Sequence, residues 1–563
     1  MIKVVSVEKM REVEAAADAA GITYGELMEI AGRAVANRAL AFLSTLPKPE
    51  EARITFLIGA GNNGGDGLVA ARLLAEESPA LVRCYLLQRR DDPLFQAVES
   101  KGVFIAHAED DQRNRVLTNM IASAALIIDA VFGIGITLPL RDEASKFLRA
   151  ARQALSGLDE PEDDESLIIP TQAPRKLPRP YVIAVDCPSG LNANTGEIDK
   201  FALTADETVT FIAAKPGLFA FPGAARVGQL SIATLGIPGT LEGLKAEKRV
   251  VADGATVRSL LPPRPLDSHK GTFGKALIIG GSVNYTGAPG LAARAAYRSG
   301  AGLVTVGAPS PTINALAAGM LEATWLLLPH DLGSLADSAA PIIKEEAAAY
   351  QSLLLGCGWG REKSTGAALE RLLSKSETTR PRAQIGFMTN RAKEDQDDEK
   401  SLPPLVIDAD GLNLLADIDG WWKNLPAETI LTPHPGEMSR LSNTTTANIQ
   451  ANRWEIAAQK AAEWNVILVL KGAHTLIAHP DGRVAVLPFK TASLATAGTG
   501  DILAGLIAGL LAQGLKPFDA AICAGYIHGL AGELLGKTRH TERGVLASDV
   551  LDSITQAFRS LEI

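Results

Sequence analysis

Short apolar runs recur along the 563-residue chain, separated by longer stretches rich in Ala and Leu. In the first half they are ITFLI from Ile54, LVRCYLL from Leu81, ALIIDA from Ala125, YVIAVD from Tyr181 and ETVTFIA from Glu207. In the second half they are KALIIGG from Lys275, GLVTVGA from Gly302, SLLLGCG from Ser352, LVIDADG from Leu405 and VILVLKGA from Val466. The runs are continuous rather than alternating, as in strands buried on both faces. With helical stretches between them, they predict an α/β chain with largely parallel sheets. One hydrophobic core rarely organises this length, so at least two domains are expected. Pro238, Pro262, Pro263 and Pro265 gather just before a new strand–loop–helix unit at Lys275. They mark a boundary within 236–268, and the division adopted is 1–240 and 241–563. Two segments rich in Pro and charge, Leu158–Pro180 and Ser376–Pro404, read as loops or insertions without chemistry.

Composition narrows the class without deciding it. Hydrophobic residues make up 47% and charged residues 21%, ordinary for a globular chain. The net charge of -9 speaks against a nucleic-acid partner. Four dispersed cysteines, with no CxxC pair, indicate neither a disulfide framework nor a zinc site. The N-terminus carries charges where a signal peptide needs an apolar core. The longest apolar stretch, Ile502–Ala512, is too short to span a bilayer. The expectation is a cytoplasmic protein with no membrane partner, assembled as a homo-oligomer.

The stretch GAGNNGGDG, Gly59–Gly67, follows a predicted strand. Its Gly59-x-Gly61-x-x-Gly64 spacing fits the dinucleotide-binding fingerprint. Asp66 reads as the N-cap of the next helix, where a carboxylate opposes a pyrophosphate. The acidic ribose ligand usual ~20 residues on is missing. Arg89 and Arg90 stand there, which leaves only an NADP-type variant of a dehydrogenase open. Other strand ends carry Asp129, followed by a Gly133/Gly135 turn, then Asp186 and Ser189. Ligands of open parallel sheets sit at such carboxyl ends, so Asn63, Asp129, Asp186 and Ser189 are expected to converge. Each taken alone reads more readily as a cap or turn residue than as a ligand.

Together, MREVEAAADAAGITYGELMEIAG, NNGGDG, DAVFGIG and VDCPSGLNANTG resemble the N-terminal domain of the NAD(P)H-hydrate repair enzymes. The similarity spans residues 6–240 and implies a Rossmann-like domain that epimerises the C6 hydroxyl of hydrated NADH and NADPH. It implies that Asn62, Asn63, Gly64, Gly65 and Asp66 bind the hydrated nucleotide. Asn63, Asp129 and Ser189 would ligate potassium through oxygens, the ligand type of a hard cation. A second loop, Gly133, Ile134, Gly135, Ile136, Thr137, Leu138 and Pro139, would also bind substrate. Asp186 would contact the reacting carbon and do acid–base work. The family usually carries Thr and Arg in the second loop where this chain has Ile134 and Leu138. Lys215, in KPGL, matches a family position of unassigned role.

In the second half, GTGD (Gly498–Asp501) opens a helix, ILAGLIAGLLAQG. Glycines let backbone amides approach an anion at a helix N-terminus. Asp501 stands where it can take a proton, or simply cap the helix. Around it come VLKGAHT, ILTPHPGEMSR, VIDADGLN with Asp408 and Asp410, and HKGTFGKALIIGGSVNYTGAPGLAARAAYRSGAGLVTV. In this order they resemble the C-terminal domain of the same repair enzymes, over about residues 250–560. The resemblance implies a ribokinase-like fold, so that the whole chain is two three-layer αβα domains. It further implies dehydration of the S form to NAD(P)H at the expense of ADP, or of ATP, with Mg2+ as cofactor. Asp501 would be the base, with the Gly498–Gly500 amides as anion hole. Lys471, Gly472, Ala473, His474 and Thr475 would hold the nucleotide. So would Thr491, Ala492, Ser493, Leu494, Ala495, Thr496, Ala497, Gly498, Thr499 and Gly500. Ala288, Gly358, Asp501, His434, Pro435, Gly436, Glu437, Met438, Ser439 and Arg440 would contact the hydrated substrate. His434 alone reads as a structural loop histidine. Where the family has GPGLG this chain has GCGWG, so Cys357 and Trp359 are expected to reshape the substrate wall.

Hydration yields two epimers and the dehydratase accepts one, so both halves have a reason to share a chain. The competing reading is a ribokinase-like small-molecule kinase fused to a non-catalytic nucleotide-binding domain, of the kind found in mRNA-decapping scaffolds. Retention of Asp129, Asp186 and Ser189 speaks against the non-catalytic half of that reading.

Overall fold

The computed structural model describes residues 1–158, 179–374, 402–539 and 541–561. Apart from their edges, the expected loops Leu158–Pro180 and Ser376–Pro404 lie outside the described residues. The chain divides into two compact units, Ile2–Glu247 and Lys248–Ile563.

Among the described residues the first unit holds a seven-stranded sheet: β1 (Arg53–Ile58), β2 (Leu81–Leu86), β3 (Phe104–His107), β4 (Leu126–Ala130), β5 (Tyr181–Val185), β6 (Glu207–Phe211) and β7 (Gln229–Ala233). Their order is β3-β2-β1-β4-β5-β6-β7, and every pairing is parallel. This is the Rossmann order with one strand added, and it reverses between β1 and β4, where such sheets open a ligand crevice. Successive side chains of β1 serve opposite cores. Ile54, Phe56 and Ile58 pack with α2 (Tyr24–Leu43) and α3 (Asn62–Glu77), while Leu57 joins Tyr85 and Ile127 on the other face. That division explains the continuous apolar run. Ahead of α2, α1 (Val7–Ala19) is capped by Ser6, and α2 by a Thr23/Glu26 capping box.

One expectation fails here. Asp66 does not cap its helix: α3 begins at Asn62, its N-cap is Gly61, and no side chain caps it. Asp66 lies inside the helix, because the Asn-Asn-Gly-Gly stretch is already helical.

In the second unit the strands are β8 (Arg249–Val251), β9 (Lys275–Ile279), β10 (Leu303–Ala308), β11 (Thr324–Leu327), β12 (Ser352–Leu355), β13 (Leu405–Ile407), β14 (Ile430–Leu431), β15 (Ile467–Leu470), β16 (Leu476–Ala478) and β17 (Val484–Val486). They run in the order β8-β17-β16-β15-β14-β13-β12-β9-β10-β11. From β15 to β11 the pairing is parallel, and β15-β16-β17 is an antiparallel meander. Two helices, α4 (Gly287–Arg298) and α5 (Thr499–Ala512), cross closely. A Cβ on Gly505 of α5 would lie 2.1 Å from the Ala292 carbonyl oxygen, so only glycine admits this approach. The apolar run Ile502–Ala512 is buried throughout, as a core helix should be. Among the described residues no helix is long and apolar enough to cross a membrane.

Candidate functional site

A cavity of about 960 Å³ opens at the β1/β4 reversal in the first unit. It is lined by the turn leading into α3 (Ala60, Gly61), by the first turn of α3 (Asn62, Asn63) and Asp66, and by the loop after β4 (Val131–Ile136). The loop before α3 is locked backbone to backbone. A Cβ on Gly64 would lie 2.0 Å from the Gly59 carbonyl oxygen, and one on Gly59 would lie 1.9 Å from that of Val131. Arg90 clamps the same turn, donating to the carbonyls of Gly59, Ala60 and Gly61 while pairing with Asp92. Arg89 is paired with Glu109 and Asp110. Both arginines of the NADP-type variant are thus engaged within the protein.

Asp129, at the end of β4, is fully buried and receives the Ser189 amide at 2.8 Å and the Ser189 hydroxyl at 2.6 Å. Burial pushes its carboxyl up to about 6, against the pull of Ser189. Asn63 is buried, and neither its amide oxygen nor its amide nitrogen has a hydrogen-bond partner among the described residues. Its Oδ1 faces the second loop, 3.1 Å from where a Gly133 Cβ would stand.

Asp186 follows β5 with φ +64, a strained conformation for a residue with a side chain. Its Oδ1 accepts from Lys215 Nζ at 2.6 Å and from Thr210 Oγ1 at 2.9 Å. Lys215 is itself buried and also donates to Thr210 and to the Phe211 carbonyl. Asp66 and Glu14 line the same cavity. Burial, then the charge of Asp186, raises the proton affinity of both, that of Asp66 strongly. The result is a cluster of carboxylates around one buried ammonium, a setting able to hold and exchange protons.

In the second unit, groups from several strand ends meet. Asp408, after β13, accepts from Lys471 Nζ at 2.8 Å and from Thr432 Oγ1 at 2.7 Å. Lys471, after β15, also lies 3.7 Å from Glu437. Burial alone would lower its proton affinity, but Asp408 and Glu437 together raise it. A Cβ on Gly500 would be 3.4 Å from Lys471 Nζ and 3.8 Å from Asp408 Oδ2. The ammonium therefore lies beside the N-terminal turn of α5. Asp501 is the third residue of that helix, whose N-cap is Gly498. Oxygens of Asp501 and Asp408 and the Cys357 sulfur all lie within 4.8 Å of one another. Burial and then Asp408 push Asp501 up to about 6, while the Cys357 thiol and Lys471 pull it down. Burial, Asp501 and Asp408 hold the Cys357 thiol firmly protonated.

His434 caps the helix Pro435–Ser442: its Nδ1 accepts from the Gly436 amide, and Glu437 accepts from the His434 amide. Burial pushes Glu437 up to about 7 despite Lys471. Gly358 lies against Ala288, with 2.9 Å between a built Cβ and that of Ala288. Asp410 accepts from the Gly360 amide at 2.9 Å. The segment from Thr491 forms a short turn, with Thr491 Oγ1 and the Ala492 amide both bound to Glu542.

Comparison with known proteins falls into two blocks. A family described as "NAD(P)H-hydrate dehydratase" matches residues 276–379 and 389–556. Another, "YjeF-related protein N-terminus", matches residues 24–217. A bifunctional NAD(P)H-hydrate repair enzyme of Moorella thermoacetica is 38% identical over 520 residues, 91% of this chain and 88% of its own. The chain belongs to the bifunctional NAD(P)H-hydrate repair enzyme family. A family member from Salinibacter ruber is 35% identical, over 95% of this chain and 92% of its own. A solved ADP/ATP-dependent NAD(P)H-hydrate dehydratase from Bacillus subtilis, co-crystallised with ATP and Mg2+, is 29% identical. It covers 55% of this chain and 98% of its own, with a TM-score of 0.44.

Against the sequence expectations, this repair-family chain shows some displacements. Lys471, expected in a nucleotide loop with Gly472–Thr475, holds its ammonium 2.8 Å from Asp408, beside the N-terminal turn of α5. Met438 is fully buried, so it presents no surface to a substrate. Of the second loop, Gly133–Ile136 line the cavity, whereas Thr137, Leu138 and Pro139 do not. Trp359 belongs to the interior, at 1% exposure, rather than to a wall. Sequence reasoning missed Arg11, Glu14, Thr210 and Thr432 altogether. Their only signal was position: α1 residues within a matching motif, and hydroxyls at strand ends.

Proposed function

We propose that this chain repairs hydrated NADH and NADPH, epimerising the C6 hydroxyl in residues 1–240 and dehydrating the S form in residues 241–563. The observation that carries the reading is the Asp501 cluster, a carboxylate near its working range beside a half-buried lysine and glycine-flanked helix amides. Hydroxide leaves a reduced nicotinamide ring poorly. Asp501 takes the proton of the C6 hydroxyl as that oxygen attacks the terminal phosphoryl group of ADP or ATP. The Gly498–Gly500 amides and Lys471 stabilise the charge that develops in transfer. AMP or ADP is the nucleotide product; phosphate then leaves C6 with the electron pair of that bond, in place of hydroxide, and loss of a proton from C5 restores the ring double bond of NAD(P)H. ADP is the preferred phosphoryl donor in this reading. Magnesium belongs with the nucleotide phosphates, because it favours oxygen donors and keeps several waters. The Cys357–Asp408–Asp501 cluster does not fit it as a cage, since one donor is a thiol and Asp408 already bears Lys471.

For the first unit, Asp186, oriented by Lys215 and Thr210, is the acid–base group. Potassium fits the group formed by Asn63, Asp129 and Ser189. The unpartnered, buried Asn63 oxygen and the buried Asp129 carboxylate are the donors a hard cation prefers. Bound there, the ion would neutralise Asp129 and hold the two loops for substrate.

The test is recovery of NADH absorbance from each epimer of hydrated NADH, with ADP and with ATP. Recovery of both epimers is expected. Failure with both nucleotides overturns the dehydratase reading, and recovery of the S epimer alone overturns the epimerase reading.

A further inference from the structure

Six charged side chains line the cavity of the first unit: Glu14, Asp66, Glu143 and Asp186 against Lys215 and Arg11. Lys215 is spent on Asp186 at 2.6 Å. Arg11, on α1, is exposed and makes no hydrogen bond or ion pair among the described residues, although Glu8 and Glu14 lie one turn away on the same helix. Its Nη2 is 3.8 Å from where a Cβ on Gly135 would stand, at the rim of the loop after β4. That loop offers the cavity Ile134 and Ile136 and no charged side chain, while Leu138, two residues further on, stands outside the lining. A dinucleotide brings a doubly charged pyrophosphate, which a carboxylate-lined cavity repels unless a free cation meets it.

We propose that Arg11 is the cation that binds the pyrophosphate of the hydrated dinucleotide, serving from helix α1 the loop in which Leu138 stands at the family's arginine position. Its planar fork suits two phosphate oxygens at once, and its neighbours leave every donor available. This rests on the epimerase reading above.

The full-length protein is assayed for epimerisation of hydrated NADH and hydrated NADPH at fixed potassium, across a range of sodium chloride. The variants are Arg11→Ala, Arg11→Lys and the double variant Arg11→Ala, Leu138→Arg. Loss of a charge-assisted hydrogen bond predicts a KM rise of about tenfold or more in Arg11→Ala, on both substrates alike, far exceeding any fall in kcat. The salt dependence of KM flattens in the same variant, and Arg11→Lys falls between the two. Adding Leu138→Arg brings KM back toward the parent value. An unchanged KM in Arg11→Ala overturns the proposal, as does an effect confined to hydrated NADPH, which would assign the arginine to the 2′-phosphate. A double variant no better than Arg11→Ala overturns the exchange of roles with position 138. A parent protein without epimerase activity would instead fail the underlying reading, and leaves no KM to compare.

Discussion

Asp501 is pulled two ways: burial and Asp408 favour its proton, while the Cys357 thiol and Lys471 favour its loss. A base must be ionised, so dehydration should run fully above pH about 6 and decline below it. Cys357→Ala removes a hydrogen bond that favours the anion, so the acid limb of the pH–rate profile should move to higher pH. A limb that stays in place would remove Cys357 from the tuning of Asp501. In the first unit, Lys215→Met leaves Asp186 buried without its partner. Breaking such a pair costs about 3–5 kcal/mol, readable as a lower urea midpoint, and epimerase activity should be lost with it. Asp501 was legible in the sequence because GTGD compresses glycines, helix start and carboxylate into one motif. The setting of Lys471 was not, since Asp408 and Glu437 reach it from two other segments that only the sheet brings together.

At the scale of elements, the fused turn before α3 carries the most exacting geometry. Gly64→Ala would drive a methyl group into the Gly59 carbonyl, 2.0 Å away, with no flexible side chain to yield. Overpacking of this kind costs about 3 kcal/mol or unseats the turn, so thermal unfolding of the first unit should come earlier and epimerisation should fail. An unaltered melting profile would mean that the turn relaxes freely. The central strands were readable because most are apolar on both faces, as Ile54–Ile58 and Leu126–Ala130 show. Edge strands β3 and β7 were not: FIAH and QLSIA are half-exposed, and their apolar runs are short. The three-residue strands β16 and β17 escaped because pattern reading needs more length than a short meander offers. Helix α3 was placed too late because its first turn, Asn-Asn-Gly-Gly, is a poor helix former rescued by the packing of its glycines against neighbours.

At the scale of the molecule, two units with separate cores and separate sites should fail separately. Asp501→Asn is expected to abolish dehydration while epimerisation continues. Asp129→Ala is expected to blunt the potassium response of the epimerase while nucleotide-dependent dehydration of the S form proceeds. Loss of both activities from either substitution would show that the two sites depend on each other. The two-unit, α/β character was plain from runs, prolines and motif order along the chain. The charge balance inside the first cavity was not, because Glu14 and Arg11 come from α1 and meet Asp66 and Asp186 only after folding.

The interlocked glycines have a bearing on how this cavity can be re-engineered. Since Gly59 and Gly64 touch backbone rather than side chains, the floor of the site is a fixed template on which substitutions are closed. The rim, with Ile134, Ile136 and Arg11, is built from half-buried or exposed side chains. A library for new cofactor-like substrates is best spent there, where diversity changes recognition and leaves the frame that aligns Asp186 intact.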